Sequence, residues 1–320
     1  MMKRVISLQG LLWIALLLFF APLAFAQKNV SGPSSEYLSI PSKKISLSGV
    51  NLHYVEAGKG PALLFLHGLG GTWKDWSANL PAFAATHQVM AIDFPGFGDS
   101  DKPEVKYSIE WFTDIVENFL REKKLKRVNV IGHSMGALVA LDLAARLNSR
   151  VKKLVVTDAV GIGDKSEFIS YAMTKKIMGP ETRWESFEKF LQEEFRAMVD
   201  SFVKDQKPKT VREFFESVPK NPFTGNPFLP MTPNVQMTAS IIDFDIRPKL
   251  ASIRQPTLIL WGAKDPVASP QDASFLQKEI RSSTLVLFPD SGHSPMMEHP
   301  SLFNRELGKF LQAGETGTSK

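Results

Sequence analysis

The sequence predicts an α/β protein, a mostly parallel sheet with helices on both faces and one inserted helical block. Three observations carry this. Short apolar runs alternate with helical patterns over residues 42–160 and again over 248–312, as parallel strands joined by crossover helices require. The stretch 161–247 holds no strand pattern. Gly132-His133-Ser134-Met135-Gly136 lies between a strand run and a helical pattern, the strand–turn–helix setting in which G-x-S-x-G presents a nucleophile.

The N-terminus reads as an address. Lys3 and Arg4 precede an uncharged stretch from Val5 to Ala26, broken by Pro22 and closed by Ala24-Phe25-Ala26. This is the pattern of a secretory signal peptide over 1–26, which predicts export to a periplasm or the medium with Gln27 as the mature end. Those 22 uncharged residues are also long enough for an uncleaved anchor, and membrane contact would then be confined to this segment. Residues 27–41 are polar and rich in Ser, with Gly and Pro, a linker.

The body follows. Lys44–Leu47 and Asn51–Glu56 alternate around Gly49 and predict a hairpin. Ala62–Leu66 and Gln88–Ile92 are continuously apolar, as strands covered on both faces are. Ser108 is a good N-cap for a helix through Phe112, Ile115, Val116 and Phe119, and the basic run Lys123–Arg127 suits its C-terminal end. Val128–Ile131 is a strand, Ala137–Leu147 a helix and Val151–Thr157 a strand. Residues 161–247 read as a helical cap. A capping-box pattern, Thr182-Arg-Trp-Glu185, precedes a stripe of Trp184, Phe187, Leu191, Phe195, Met198 and Phe202, and Asn221–Pro233 is Pro-rich and irregular. This block holds 10 of the 23 phenylalanines and 5 of the 11 methionines, a surplus that predicts cover over an apolar cleft. Thr257–Trp261 and Thr284–Phe288 are strands flanking a helix at Pro270–Ile280. Phe303–Leu311 is the last helix, before a polar tail at 313–320.

Composition narrows the chemistry. At 43% hydrophobic and 22% charged residues, the chain is neither disordered nor a polytopic membrane protein. It has no cysteine, which removes disulfides, Cys-ligated zinc, iron–sulfur clusters and a thiol nucleophile. The six histidines form no HExxH or comparable pair, so no metal enzyme is expected, and nothing in the sequence implies an organic cofactor. The net charge of +5 is spread out, a solvated surface and not a nucleic-acid face.

The elbow names Ser134 as nucleophile, with Gly132 and Gly136 required by the tightness of the turn. A serine hydroxyl needs a base. His293, after the strand at 284–288, sits at a strand's C-terminal end, where ligands gather in open α/β sheets. His53, His67, His87, His133 and His299 have structural explanations; His67 is expected to brace its loop and His133 to point elsewhere. The orienting acid is Asp265, in the chain order Ser…Asp…His, with Asp158 at the end of the preceding strand as its competitor. The loop His67-Gly68-Leu69-Gly70-Gly71 lets backbone approach a ligand, so the N–H groups of Leu69 and Met135 are the expected oxyanion donors.

On these residues the chain resembles the α/β-hydrolases, the group of esterases, lipases, C–C bond hydrolases and haloperoxidase-like enzymes. The matching pieces are His67-Gly68, Asp93–Ser100, Gly132–Gly136, Pro256–Gly262 with Asp265, and Gly292-His293 with Glu298–Pro300, in the family's order over roughly residues 45–312. The resemblance implies an eight-stranded sheet with an inserted cap. It implies a structural role for Asp93–Ser100, and a serine hydrolase acting on a carboxylic ester, for which the Phe- and Met-rich cap suggests a small substrate with an apolar acyl or aryl group. Dehalogenases and epoxide hydrolases of the group use an aspartate where this chain has Ser134, which argues against both activities. C–C bond, lactone or amide cleavage by the same triad is the alternative, and a non-catalytic binding protein on this fold the more distant one.

Overall fold

The structure, a computed structural model, describes residues 40–163, 165, 168 and 233–313. The signal segment, nearly all of the linker, the helical stripe at 184–202, the irregular segment at 221–232 and all but the first residue of the tail lie outside the described residues. Eight strands form one sheet: β1 (Ser42–Leu47), β2 (Val50–Ala57), β3 (Ala62–Leu66), β4 (Gln88–Ile92), β5 (Val128–His133), β6 (Val151–Thr157), β7 (Thr257–Gly262) and β8 (Ser283–Phe288). Their order is β1-β2-β4-β3-β5-β6-β7-β8. β2 runs antiparallel to β1 and to β4, and every other pairing is parallel.

The helices are α1 (Leu80–Ala84), α2 (Ile109–Glu122), α3 (Met135–Arg146), α4 (Pro233–Asp243), α5 (Arg247–Leu250), α6 (Pro270–Glu279), α7 (Pro295–Glu298) and α8 (Pro300–Gln312). A 3-10 turn spans Trp73–Trp76. The expected strands and helices that fall on described residues are present, with ends that coincide or shift by up to three residues. Ile40 and Pro41, read as linker, join the fold: Ile40 packs on the core and the Pro41 carbonyl accepts the Glu56 N–H at 3.2 Å. Ser108 caps α2 as expected, its Oγ accepting the Trp111 N–H at 3.2 Å.

Side chains alternate across a strand, and the central strands use both faces. Leu64, Leu66, Val128, Val130, Leu154 and Val156 point to the core beneath α2, α3 and α6. Leu63, Phe65, Ile131, Val155, Leu258 and Leu260 face Trp76, Phe83, Phe303 and Leu307 on the other side. Burial on both faces explains why these strands read as unbroken apolar runs. Of the cap's aromatic and Met surplus, the described members Phe168, Met237 and Phe244 are buried in the first of these cores.

The register sets the site. Leu66 pairs with Gly132, Gly132 with Val156, and Val156 with Ile259. The parallel strands therefore end within three residues of one level, and the segments after β3, β5, β6, β7 and β8 emerge along one rim.

Candidate active site

Ser134 follows β5 directly and precedes the first residue of α3. Its backbone has φ 53° and ψ −118°, a left-handed conformation that costs a non-glycine residue on the order of 1–3 kcal/mol. The strain persists because the neighbours hold it: Ser134 N–H donates to the Thr157 carbonyl at 2.9 Å, and its own carbonyl accepts from Ala137 and Leu138. Gly132 and Gly136 are required by space. A Cβ on Gly132 would stand 2.6 Å from Ala137 Cα, and one on Gly136 would meet the Leu66 carbonyl, its carbon at 2.7 Å.

His293 Nε2 lies 3.0 Å from Ser134 Oγ, and His293 Nδ1 lies 2.7 Å from Asp265 Oδ2. Nδ1–H donates to the carboxylate, leaving Nε2 as acceptor for the serine proton. Asp265 is fixed from behind, its Oδ1 accepting the N–H groups of Val267 at 2.7 Å and Ala268 at 3.1 Å. The structure thus brings Ser134, His293 and Asp265 into one chain, and Asp265, not Asp158, is the carboxyl on the imidazole.

The His67–Gly71 loop lies against the elbow. A Cβ on Gly68 would stand 3.1 Å from Ser134 Cβ and 3.0 Å from His133 Nδ1, so a side chain here would press on both. Met135 opens α3, where an amide has no intrahelical acceptor, and Leu69 sits in the adjoining loop, part-buried. His67 braces the loop as expected: Nδ1–H donates to the Gly68 carbonyl at 2.7 Å and Nε2 accepts the Phe94 N–H at 2.9 Å. Burial keeps this imidazole below its usual range. Asp93 is structural, its Oδ1 accepting the Trp73 N–H at 2.7 Å and its Oδ2 the Asp99 N–H at 3.0 Å. His53, Asp93 and Asp99 bring potential ligand atoms within 4.8 Å of one another, but His53 is held between Asp93 at 2.8 Å and Ser42 at 2.7 Å.

Three residues do more than the sequence suggested. His133 does not point away. Its Nε2–H donates to the His293 carbonyl at 2.7 Å, and the two rings lie 4.9 Å apart. Burial first, then the neighbouring His293, push its pKa down to about 3. Glu298 pins the His293 loop, accepting the Gly292 N–H at 2.7 Å, the Ser294 N–H at 2.9 Å and the Ser291 hydroxyl at 3.1 Å. Asp158 is fully buried beside Asp265, with φ 45°. Each of these contacts links residues through folding or through a loop, without a spacing signal, although Glu298 does fall six residues after Gly292.

A hydroxyl, a base with a free lone pair, an oriented carboxylate and an amide-lined loop can together carry out attack on a carbonyl. Comparison with known proteins agrees on the class. The model of the alpha/beta hydrolase fold matches residues 61–300. A 2-hydroxy-6-oxononadienedioate/2-hydroxy-6-oxononatrienedioate hydrolase of Pseudomonas putida is 31% identical over 87% of this chain and 96% of its own. A 2-hydroxy-6-oxo-6-phenylhexa-2,4-dienoate hydrolase of Comamonas testosteroni is 28% identical over 88% of this chain and 97% of its own. Among solved structures, the enol-lactonase from Burkholderia xenovorans superposes with a TM-score of 0.63 at 22% identity, covering 84% of this chain and all of that one. The chain belongs to the alpha/beta hydrolase fold family.

Proposed function

We propose that the protein is an exported serine hydrolase that cleaves a carboxylic ester of a small apolar acyl or aryl compound. The observation that carries this reading is the unbroken relay of Ser134 Oγ, His293 Nε2, His293 Nδ1 and Asp265 Oδ2, with steps of 3.0 and 2.7 Å. Ser134 attacks the carbonyl as His293 accepts its proton, and Leu69 and Met135 N–H stabilise the oxyanion. His293 then protonates the leaving alcohol, and water resolves the acyl-enzyme. Export rests on the charged start and the uncharged run ending in Ala24-Phe25-Ala26, and Gln27 at the N-terminus of the exported protein is the corresponding observation.

A second reading is C–C bond cleavage, favoured by the two dienoate hydrolases at 28% and 31% identity. Such a substrate carries a carboxylate, which calls for a cation in the pocket. The deciding experiment sets p-nitrophenyl esters of graded acyl length beside a 2-hydroxy-6-oxo-dienoate, with Ser134→Ala as control and a fluorophosphonate as probe. Ester turnover with labelling of Ser134 supports the proposal. Dienoate cleavage without ester turnover moves the assignment to the second reading, and absence of labelling removes both.

A further inference from the structure

Asp158 is a second carboxyl behind the catalytic acid, and the relay does not use it. It follows β6 directly, is wholly buried, and holds a left-handed backbone at φ 45°. Its Oδ1 accepts the Gly262 N–H at 2.8 Å. Its Oδ2 is buried and receives no N–H or O–H donor among the described residues. The nearest acidic neighbour is the catalytic acid itself: one ligand atom each of Asp158, Asp265 and His293 lie within 4.8 Å of one another.

Two carboxyls can share a hydrogen bond only if one keeps its proton, because like charges this close cannot both ionise. The donors decide which. Asp265 accepts three hydrogen bonds, from Val267, Ala268 and His293, and each favours its carboxylate form. Asp158 accepts one, from Gly262. Asp265 and Glu298 act on it as like charges, and a ring nitrogen of His293 lies within 4.8 Å. We propose that Asp158 is a positioning residue kept as a neutral carboxylic acid, donating its O–H to the Asp265 carboxylate and so holding the acid that orients His293. This rests on the triad reading above. The direction of its titration agrees, since burial raises the Asp158 pKa well above the carboxylate range.

Asparagine tests this cleanly. It is neutral, keeps a donor in the same place, and tolerates a positive φ, where alanine is strained. With the full chain, D158A is expected to lower kcat about 10-fold and to move the acid limb of the pH profile upward. The Asp265 carboxylate, having lost a donor, then holds a proton on its imidazole partner more strongly. D158N is expected to rescue most of kcat and to leave the limb in place. Infrared spectroscopy at neutral pH should show a protonated carboxylic acid C=O band in the wild type that D158N lacks, a readout independent of turnover and of D158A folding. A wild type without that band, or a D158N limb displaced to lower pH as loss of a negative charge demands, overturns the proposal. The band without any ester hydrolysis would defeat the functional reading and leave this one standing.

Discussion

Lowering the pH from 7 to 5 should destabilise this protein by about 2 kcal/mol through His133 alone. Its imidazole is 6% exposed and is held down to about 3, against about 6.5 in an unfolded chain. A depressed folded value means that the unfolded state binds more protons between those two limits. Stability is therefore lost as pH falls from 6.5 towards 3. At pH 5 the unfolded imidazole is almost fully protonated and the folded one is not, so the loss is about 1.4 kcal/mol for each of the 1.5 units crossed, or about 2 kcal/mol. The assay is urea unfolding at pH 7 and pH 5 for the wild type and His133→Asn. Buried groups with their own slopes, His67 in the same sense and Asp158 in the opposite one, are common to both proteins and cancel. The wild type should lose about 2 kcal/mol more than the variant over this interval. Equal losses, or a larger loss in the variant, would show that His133 is not held neutral in the fold.

Gly132→Ala would force a Cβ to 2.6 Å from Ala137 Cα and should cost about 3 kcal/mol of stability, read as a lowered melting temperature. Glu298→Ala removes three hydrogen bonds from the His293 loop. It should lower kcat about 10- to 100-fold with little change in stability, because a misplaced base, not lost core packing, is the defect. Ser134→Ala should abolish turnover by about 10⁴-fold while the fold persists, checked by circular dichroism beside the rate.

Much of the sheet was legible because its strands are buried on both sides and so read as continuous apolar runs. The elbow and the order of Ser134, Asp265 and His293 were legible because strand ends supply them in sequence. The short helices α1, α5 and α7 were not, since four or five residues hold too little periodicity to register. The role of His133 was misread because the carbonyl it binds belongs to a residue 160 positions away. Asp158 was visible only as a rival to Asp265, because sequence places both at strand ends and cannot say which one reaches the imidazole. The cap's apolar surplus was legible as composition, yet its described members turn out to be core.

The junction between β6 and β7 has a wider consequence. Leu154 through Thr157 pair directly with Thr257 through Leu260, and Asp158 N–H and Oδ1 tie that corner to Leu260 and Gly262. The chain leaves the sheet at residue 158 and re-enters it one strand over, about a hundred residues later. Closing a longer loop between ends already in contact adds little, about 0.6 kcal/mol for each doubling of its length. The excursion is therefore a socket: its contents can lengthen, shorten or be exchanged, as domain grafts are, while the corner that aligns the reacting groups stays clamped. A protein built this way can exchange one contiguous segment without re-registering its sheet.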